Sequence, residues 1–352
     1  MAVLAERRNV RIADISQKVG LSTAAVSYVL NGKHVEAKIP RKTVDRVLET
    51  AKKMGYRPNY WAKSLAMNKS KLVGMIFPDL GHSVADQVVR GSQKVLDGSS
   101  YQSLLAVYHW DPVREAREIE LMLEKQVGCI IALPYAGSSK CYEDAVKSGC
   151  RVVFICDYLK GINIPSVVLD PDDSVCKVVR HLYELGHKNI HLLSVDYNAS
   201  IFQDREKTFQ QELCRLGLHF DEESISRSVL GNVSSVNKQV QLLMARKNPP
   251  TALFCICDAI AMESLAELDR LGVKVPGQIA VAGLGNVLMA DHSFFSLTTV
   301  DEKLEEIGRC AAELALRRED AFKSTEHILI KGDLIVRGST LRQNKEGRYE
   351  NN

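Results

Sequence analysis

The stretch VRIADISQKVGLSTAAVSYVLNG, residues 10–32, decides how the amino-terminal part of the chain folds. Ile12, Ile15 and Val19 recur at i, i+3 and i+7, one face of a short helix, and Gly20 supplies the left-handed exit that a tight helix end needs. Leu21 leads into a second segment with Ser22 as its N-cap, Val26 and Leu30 facing inward, and Asn31-Gly32 as its end. A third segment puts Val44, Val47, Leu48 and Ala51 on one stripe and stops at Gly55. Three short helices, the first two joined by a turn containing glycine, describe a helix-turn-helix unit. The second helix leaves Thr23, Ala24, Ser27 and Tyr28 off the buried face, and small or hydroxyl side chains there let a helix sit deep in a major groove.

Charge separates this head from the rest. Residues 1–71 hold 15 Lys and Arg against 5 Asp and Glu, a net +10, whereas the remaining residues hold 31 against 38, a net −7. That division, hidden in an overall +3, fits a basic head for a polyanion joined to a body that avoids one. With 352 residues, 45% hydrophobic and 25% charged, the chain is expected to form two or three globular units. No apolar run is long enough for a membrane span, and the start MAVLAERRNV is charged where a secretion signal needs its apolar segment. Nine cysteines without a C-x-x-C pair read as reduced core residues, so a cytoplasmic location, at the nucleoid, is expected.

From Leu72 onward short apolar runs alternate with amphipathic stripes. Strands are expected at Leu72–Phe77, Ser103–Val107, Cys129–Ala132, Val152–Ile155, Val167–Leu169, Ile190–Leu193, Ala252–Cys255 and Ile279–Ala282. Stripes such as Val175, Val178, Val179 and Leu182 lie between them. Repeated β-α-β units imply parallel sheets with helices on both faces and ligands at the carboxyl ends of strands. The segment GLGN at 283–286 offers only two of the three glycines of a dinucleotide fingerprint. No phosphate loop and no nucleophile elbow occur, and His181, His187 and His191 beside Cys176 read as structural rather than metal-binding. No enzyme, cofactor or metal is expected.

Beside the head lies RPNYWAKSL, residues 57–65. Together with residues 10–32, TVDRVLETAKKMGYRPNYWAKSLA at 43–66, LVGMIFPDL at 72–80, VVRHLYELGHKNIHLL at 178–193 and LIVRGST at 334–340, it resembles the LacI/GalR (lactose-repressor) family of transcription regulators from about residue 10 to 341. The resemblance implies an all-α helix-turn-helix domain at 1–57, a hinge helix and linker at 58–71, and a two-lobed periplasmic-binding-protein-like α/β domain with parallel sheets at 72–345. A disordered tail is expected at 346–352. The first lobe would take 72–161 and about 292–325, the second about 162–291 and 326–341.

The same resemblance places Thr23, Ala24 and Tyr28 on base-reading positions and Ser22, Ser27 and Asn31 on phosphate-contacting ones. Leu65 would be the apolar wedge of the hinge helix in the minor groove, with Ala62 and Lys63 beside it. Tyr28 stands where many relatives have arginine, the loop Lys33 to Lys38 is longer than common, and Pro40 replaces a capping serine. In the cleft between lobes, effector contacts would come from His82, Tyr108, Trp110, Tyr135, Asp157, Arg205, Asp258 and Asn286. The usual acidic ligand position is Gly285, the Asp-Arg pair after the fourth strand reads Cys156-Asp157, and the aromatic pair after the first reads Val84-Ala85. The implied partners are therefore a double-stranded DNA operator, a second copy of the chain, and a small-molecule effector, a carbohydrate or derivative other than a typical free hexose. Two alternatives stay open: the same DNA-binding role under a protein co-regulator, and a small-molecule binding protein without a DNA role.

Overall fold

The computed structural model describes residues 10–56, 70–80, 84–318, 321–323, 325–343 and 349–350. They fall into two units divided between Ser70 and Lys71. In the first, α1 (Ile12–Val19), α2 (Thr23–Leu30) and α3 (Arg41–Lys53) enclose Ile15, Val19, Val26, Val29, Val44, Val47 and Ala51. Gly20, at φ 68°, ends α1, and the Ser22 hydroxyl accepts the Ala25 N–H at 3.2 Å to cap α2. Arg46 ties α3 to the end of α1 by donating to the Val19 carbonyl at 3.1 Å.

Val29 joins Val26 on the α2 core face, and Leu30, half-buried, packs against the same cluster. One inward assignment shifts. Leu48 is 47% exposed, since it is rotated off the stripe made by Val44, Val47 and Ala51. Pro40 is the N-cap of α3, the position at which it replaces a capping serine.

The second unit has two six-stranded sheets. The first runs β11-β5-β4-β3-β1-β2, all parallel. Its strands are β1 (Leu72–Phe77), β2 (Gln102–Val107), β3 (Cys129–Ala132), β4 (Arg151–Ile155), β5 (Ser166–Leu169) and β11 (His327–Ile330). Helices α4 (Val84–Asp97), α5 (Pro112–Glu124), α6 (Ser139–Lys147) and α11 (Leu304–Ala315) accompany it. The second sheet runs β12-β10-β9-β8-β6-β7, parallel except where β12 joins β10. It contains β6 (Ile190–Val195), β7 (Ile225–Ser228), β8 (Ala252–Cys255), β9 (Ala280–Gly285), β10 (Thr298–Asp301) and β12 (Asp333–Ile335). Around it pack α7 (Pro171–Glu184), α8 (Ser200–Arg215), α9 (Val233–Met244) and α10 (Asp258–Arg270).

The chain therefore crosses between lobes after β5, after β10 and between β11 and β12. This corrects the expected partition. Residues 166–169 belong to the first sheet, residues 298–301 to the second, and residues 327–330 to the first. The crossings meet at Gly332. A Cβ there would lie 2.4 Å from Val300 Cγ1, 2.8 Å from the Asp301 carbonyl and 3.2 Å from Leu169 Cδ1, so no larger residue fits. Where an unfolded tail was expected from 346, Tyr349–Glu350 instead pairs antiparallel with Arg342–Gln343.

In the first lobe, α4 and α11 touch backbone to backbone. A Cβ on Gly308 would sit 2.1 Å from the Val88 carbonyl oxygen, and one on Gly91 1.9 Å from that of Glu305. In the second lobe, the three histidines find hydroxyls: His181 with Thr340 at 2.9 Å, His187 with Thr251 at 3.1 Å and His191 with Ser226 at 2.9 Å.

Candidate functional sites on the recognition helix and in the interlobe cleft

In the head, burial of Val26 and Val29 turns the opposite side of α2 outward. Thr23, Ala24 and Tyr28 are exposed there, with Tyr28 at 45%. Ser22 stands at the helix amino terminus, where the N–H dipoles favour an anion. Ser27 is half-buried and accepts Asn31 Nδ2–H at 3.2 Å, which orients the Asn31 carbonyl oxygen. Ser22, Thr23, Ala24, Ser27, Tyr28 and Asn31 thus share one helix and its ends. Ala62, Lys63, Leu65 and His82 lie outside the described residues.

In the body, the candidates gather at the carboxyl ends of both sheets. Arg205 on α8 is buried; Nη1 donates to the Ile256 carbonyl at 3.0 Å and Nη2 to Glu302 Oε1 at 2.6 Å. Glu302 follows β10, so this ion pair sits where the chain passes back to the first lobe. Asp157, 2% exposed, belongs to the first lobe and accepts the Ile201 N–H of α8 in the second at 2.9 Å. Ala199, at the N-cap of α8, offers no side-chain acceptor, so Asp157 caps that helix from across the cleft. Burial raises the Asp157 carboxyl to about 6 against the pull of its backbone donors and Arg205.

Other candidates are held by their own lobe. Tyr108 is fully buried, and its hydroxyl donates to the Leu133 carbonyl at 3.1 Å. Asp258 accepts Thr299 Oγ1–H at 2.6 Å and the Val287 N–H at 3.0 Å, and burial raises it too to about 6. Asn286 Oδ1 accepts from Arg337 Nη2 at 2.9 Å. Arg337 also reaches Asp291 and the Leu297 carbonyl, so it fixes the loop after β9. These groups shape the cleft base more than they present open valences to it.

Trp110 and Tyr135 stand at the mouth, where they meet a residue that sequence reading passed over. Tyr197, in the loop after β6, packs edge-on against both rings at 5.6 Å and accepts the Ala136 N–H at 3.0 Å. Tyr158 donates to Asp204 Oδ2 at 2.5 Å, a further bond across the lobes. Beneath Tyr135, the fully buried Glu115 accepts the Tyr135 N–H at 2.9 Å and the Tyr142 hydroxyl at 2.5 Å, and burial raises its carboxyl. The rule that sites form at strand carboxyl ends could have found Tyr197. Glu302 was hidden because β10 was not recognised.

A basic three-helix head and a two-lobed body with three interlobe crossings define a DNA-binding transcriptional regulator with a ligand-binding type of core. The model of bacterial regulatory proteins of the lacI family matches residues 11–59, and that of the periplasmic-binding-protein-like domain matches residues 179–340. The chain thus carries a lacI-family helix-turn-helix domain followed by a periplasmic-binding-protein-like domain.

Curated relatives include the HTH-type transcriptional repressor CytR of Escherichia coli K12, 27% identical over 331 residues, or 93% of this chain and 95% of that one. The catabolite control protein A of Priestia megaterium is 28% identical over 307 residues, 87% and 91% of the two chains. Among solved structures, a lac repressor dimer bound to operator and the anti-inducer ONPF shares the fold with a TM-score of 0.83 at 20% identity, covering 95% of this chain and 99% of that one. A complex of the transcriptional regulator CelR with cellobiose gives 0.71 at 20% identity, covering 94% and 100%.

Proposed function

We propose that the protein is a cytoplasmic, homodimeric repressor that recognises a pseudopalindromic operator and answers to a small-molecule effector in the interlobe cleft. Residues 1–57 form its DNA-binding domain, 58–71 its hinge and 72–345 its effector and dimerisation body. The outward face of α2 carries the reading: Thr23, Ala24 and Tyr28 are exposed together on a head of net charge +10. Ser22, Ser27 and Asn31 position that helix on phosphates, and Ala62, Lys63 and Leu65 serve the minor groove. A two-fold protein reads two half-sites, hence the operator symmetry. The names of CytR as a repressor and of the operator-bound lac repressor dimer support the sign and the dimer.

In the cleft, Trp110, Tyr135, Asp157 and Arg205 form the effector region, with Tyr108, Asp258 and Asn286 supporting it. A change in lobe angle would be felt at the hinges with a coupling of ~1–3 kcal/mol. The test selects bound fragments from random DNA with the full-length protein and titrates the winner across salt. Operator binding that neutralises several phosphates loses about 10³-fold or more in affinity between 50 and 200 mM salt. A flat salt response with no sequence preference refutes the reading.

A further inference from the structure

At the cleft mouth, a side chain of the second lobe fills a slot built by the first. Tyr197 meets Trp110 at an interplanar angle of 90° and Tyr135 at 70°, and in its own lobe Phe202 closes the third side at 6.4 Å. Its phenolic oxygen takes the Ala136 N–H. The walls do not depend on Tyr197 for their placement. Trp110 Nε1–H donates to Asp79 at 2.9 Å, while Glu115 holds the Tyr135 backbone and the Tyr135 ring leans edge-on against Tyr108 at 6.5 Å. Tyr197 itself is only half-buried and sits in a loop, so it can leave.

Carboxylates flank the slot. Asp79 and Glu115 anchor its walls, and Asp157 lies close enough to bear on the Tyr197 hydroxyl. Nearby cations are already matched: Arg205 by Glu302, and Lys160 by Asp204 at 3.7 Å and Gln203 at 2.8 Å.

We propose that this slot is a ligand subsite of which Tyr197 is the chain's own occupant, and that it takes a planar ring bearing a hydrogen-bond acceptor and no negative charge. Walls that both meet the Tyr197 ring edge-on select a ring, the Ala136 N–H selects an acceptor, and the surrounding carboxylates reject an anion. The inference rests on the reading that the effector acts in the cleft, and the two fail separately.

The test uses calorimetric titration of full-length wild type, Tyr197→Ala and Tyr197→Phe with phenol, and with benzoate as the anion. Removing the two edge-to-face pairs that Tyr197 makes with the first lobe, together with its Ala136 bond, should tighten phenol binding about tenfold or more. Tyr197→Phe keeps the ring but loses the Ala136 bond, for an expected gain of about fivefold. Benzoate should bind neither variant. If Tyr197→Ala, with wild-type circular dichroism, binds phenol no better than wild type, the slot is refuted, as it is if benzoate binds equally well. Should Tyr197→Ala fail to fold, the Tyr197→Phe gain decides in the same way. Phenol that binds Tyr197→Ala yet leaves operator affinity unchanged supports the slot and removes cleft control of DNA binding.

Discussion

Asp157→Asn separates the two things the Asp157 carboxylate does. Its oxygen caps α8 from the opposite lobe, a role an amide oxygen retains, and its charge is carried into a site only 2% exposed. The carboxyl is raised from 3.8 to about 6, chiefly by burial, with Asp204 adding to the rise and Arg205 and the Ile201 and Tyr158 N–H groups opposing it. A proton is therefore bound more tightly in the folded protein than in the unfolded chain. The stabilising contribution is complete below 3.8 and is lost as pH rises through about 6; above that, the buried charge exacts its full penalty. The difference between 3.8 and 6 corresponds to about 3 kcal/mol at most.

Other groups titrate over the same range, but they contribute equally to wild type and variant and cancel in the difference. Any fixed cost of the amide nitrogen cancels as well when two pH values are compared. Denaturant unfolding of both proteins from pH 4 to 8 should show the variant gaining on wild type by about 2.5 kcal/mol between the ends of the range. In melting temperature this is on the order of 5 °C for a body of this size. A stability difference that is flat with pH would mean that Asp157 is not desolvated, and the closed interlobe cap would be refuted with it.

Two further outcomes bear on the head and the first lobe. Ser22→Ala removes the α2 cap at a cost of about 1 kcal/mol, read as faster amide exchange along α2. Ser22→Asp restores the cap but repels phosphate, so it should keep that protection and weaken operator binding; unchanged affinity would remove Ser22 from the DNA contacts. Gly308→Ala drives a methyl group to 2.1 Å from the Val88 carbonyl oxygen and should cost about 1–3 kcal/mol, lowering the denaturation midpoint. An unchanged midpoint would contradict the α4–α11 contact.

What could be read in advance follows from where each residue gets its energy. Strands β1, β3, β4 and β8 are buried on both faces of parallel sheets, so they appear as uninterrupted apolar runs. Strand β10 is equally buried at Thr298 and Thr299 but reads TTVD. Its hydroxyls are satisfied by Thr340, the Arg337 carbonyl and Asp258, partners between 39 and 42 residues away that no local pattern displays. Missing that strand displaced the second crossing and concealed Glu302. The cleft shows the same division. Asp157 could be placed because it follows a strand end, a local feature, and Arg205 through the family resemblance; Tyr197 also follows a strand end, but its contact with Ala136, 61 positions earlier, forms only once the lobes close. Local chemistry thus prepares each wall of the cleft separately, and only tertiary approach reveals that one wall supplies the other's occupant. The same approach turns Asp157 from a loop carboxylate into a helix cap, which is why its protonation and lobe closure are linked.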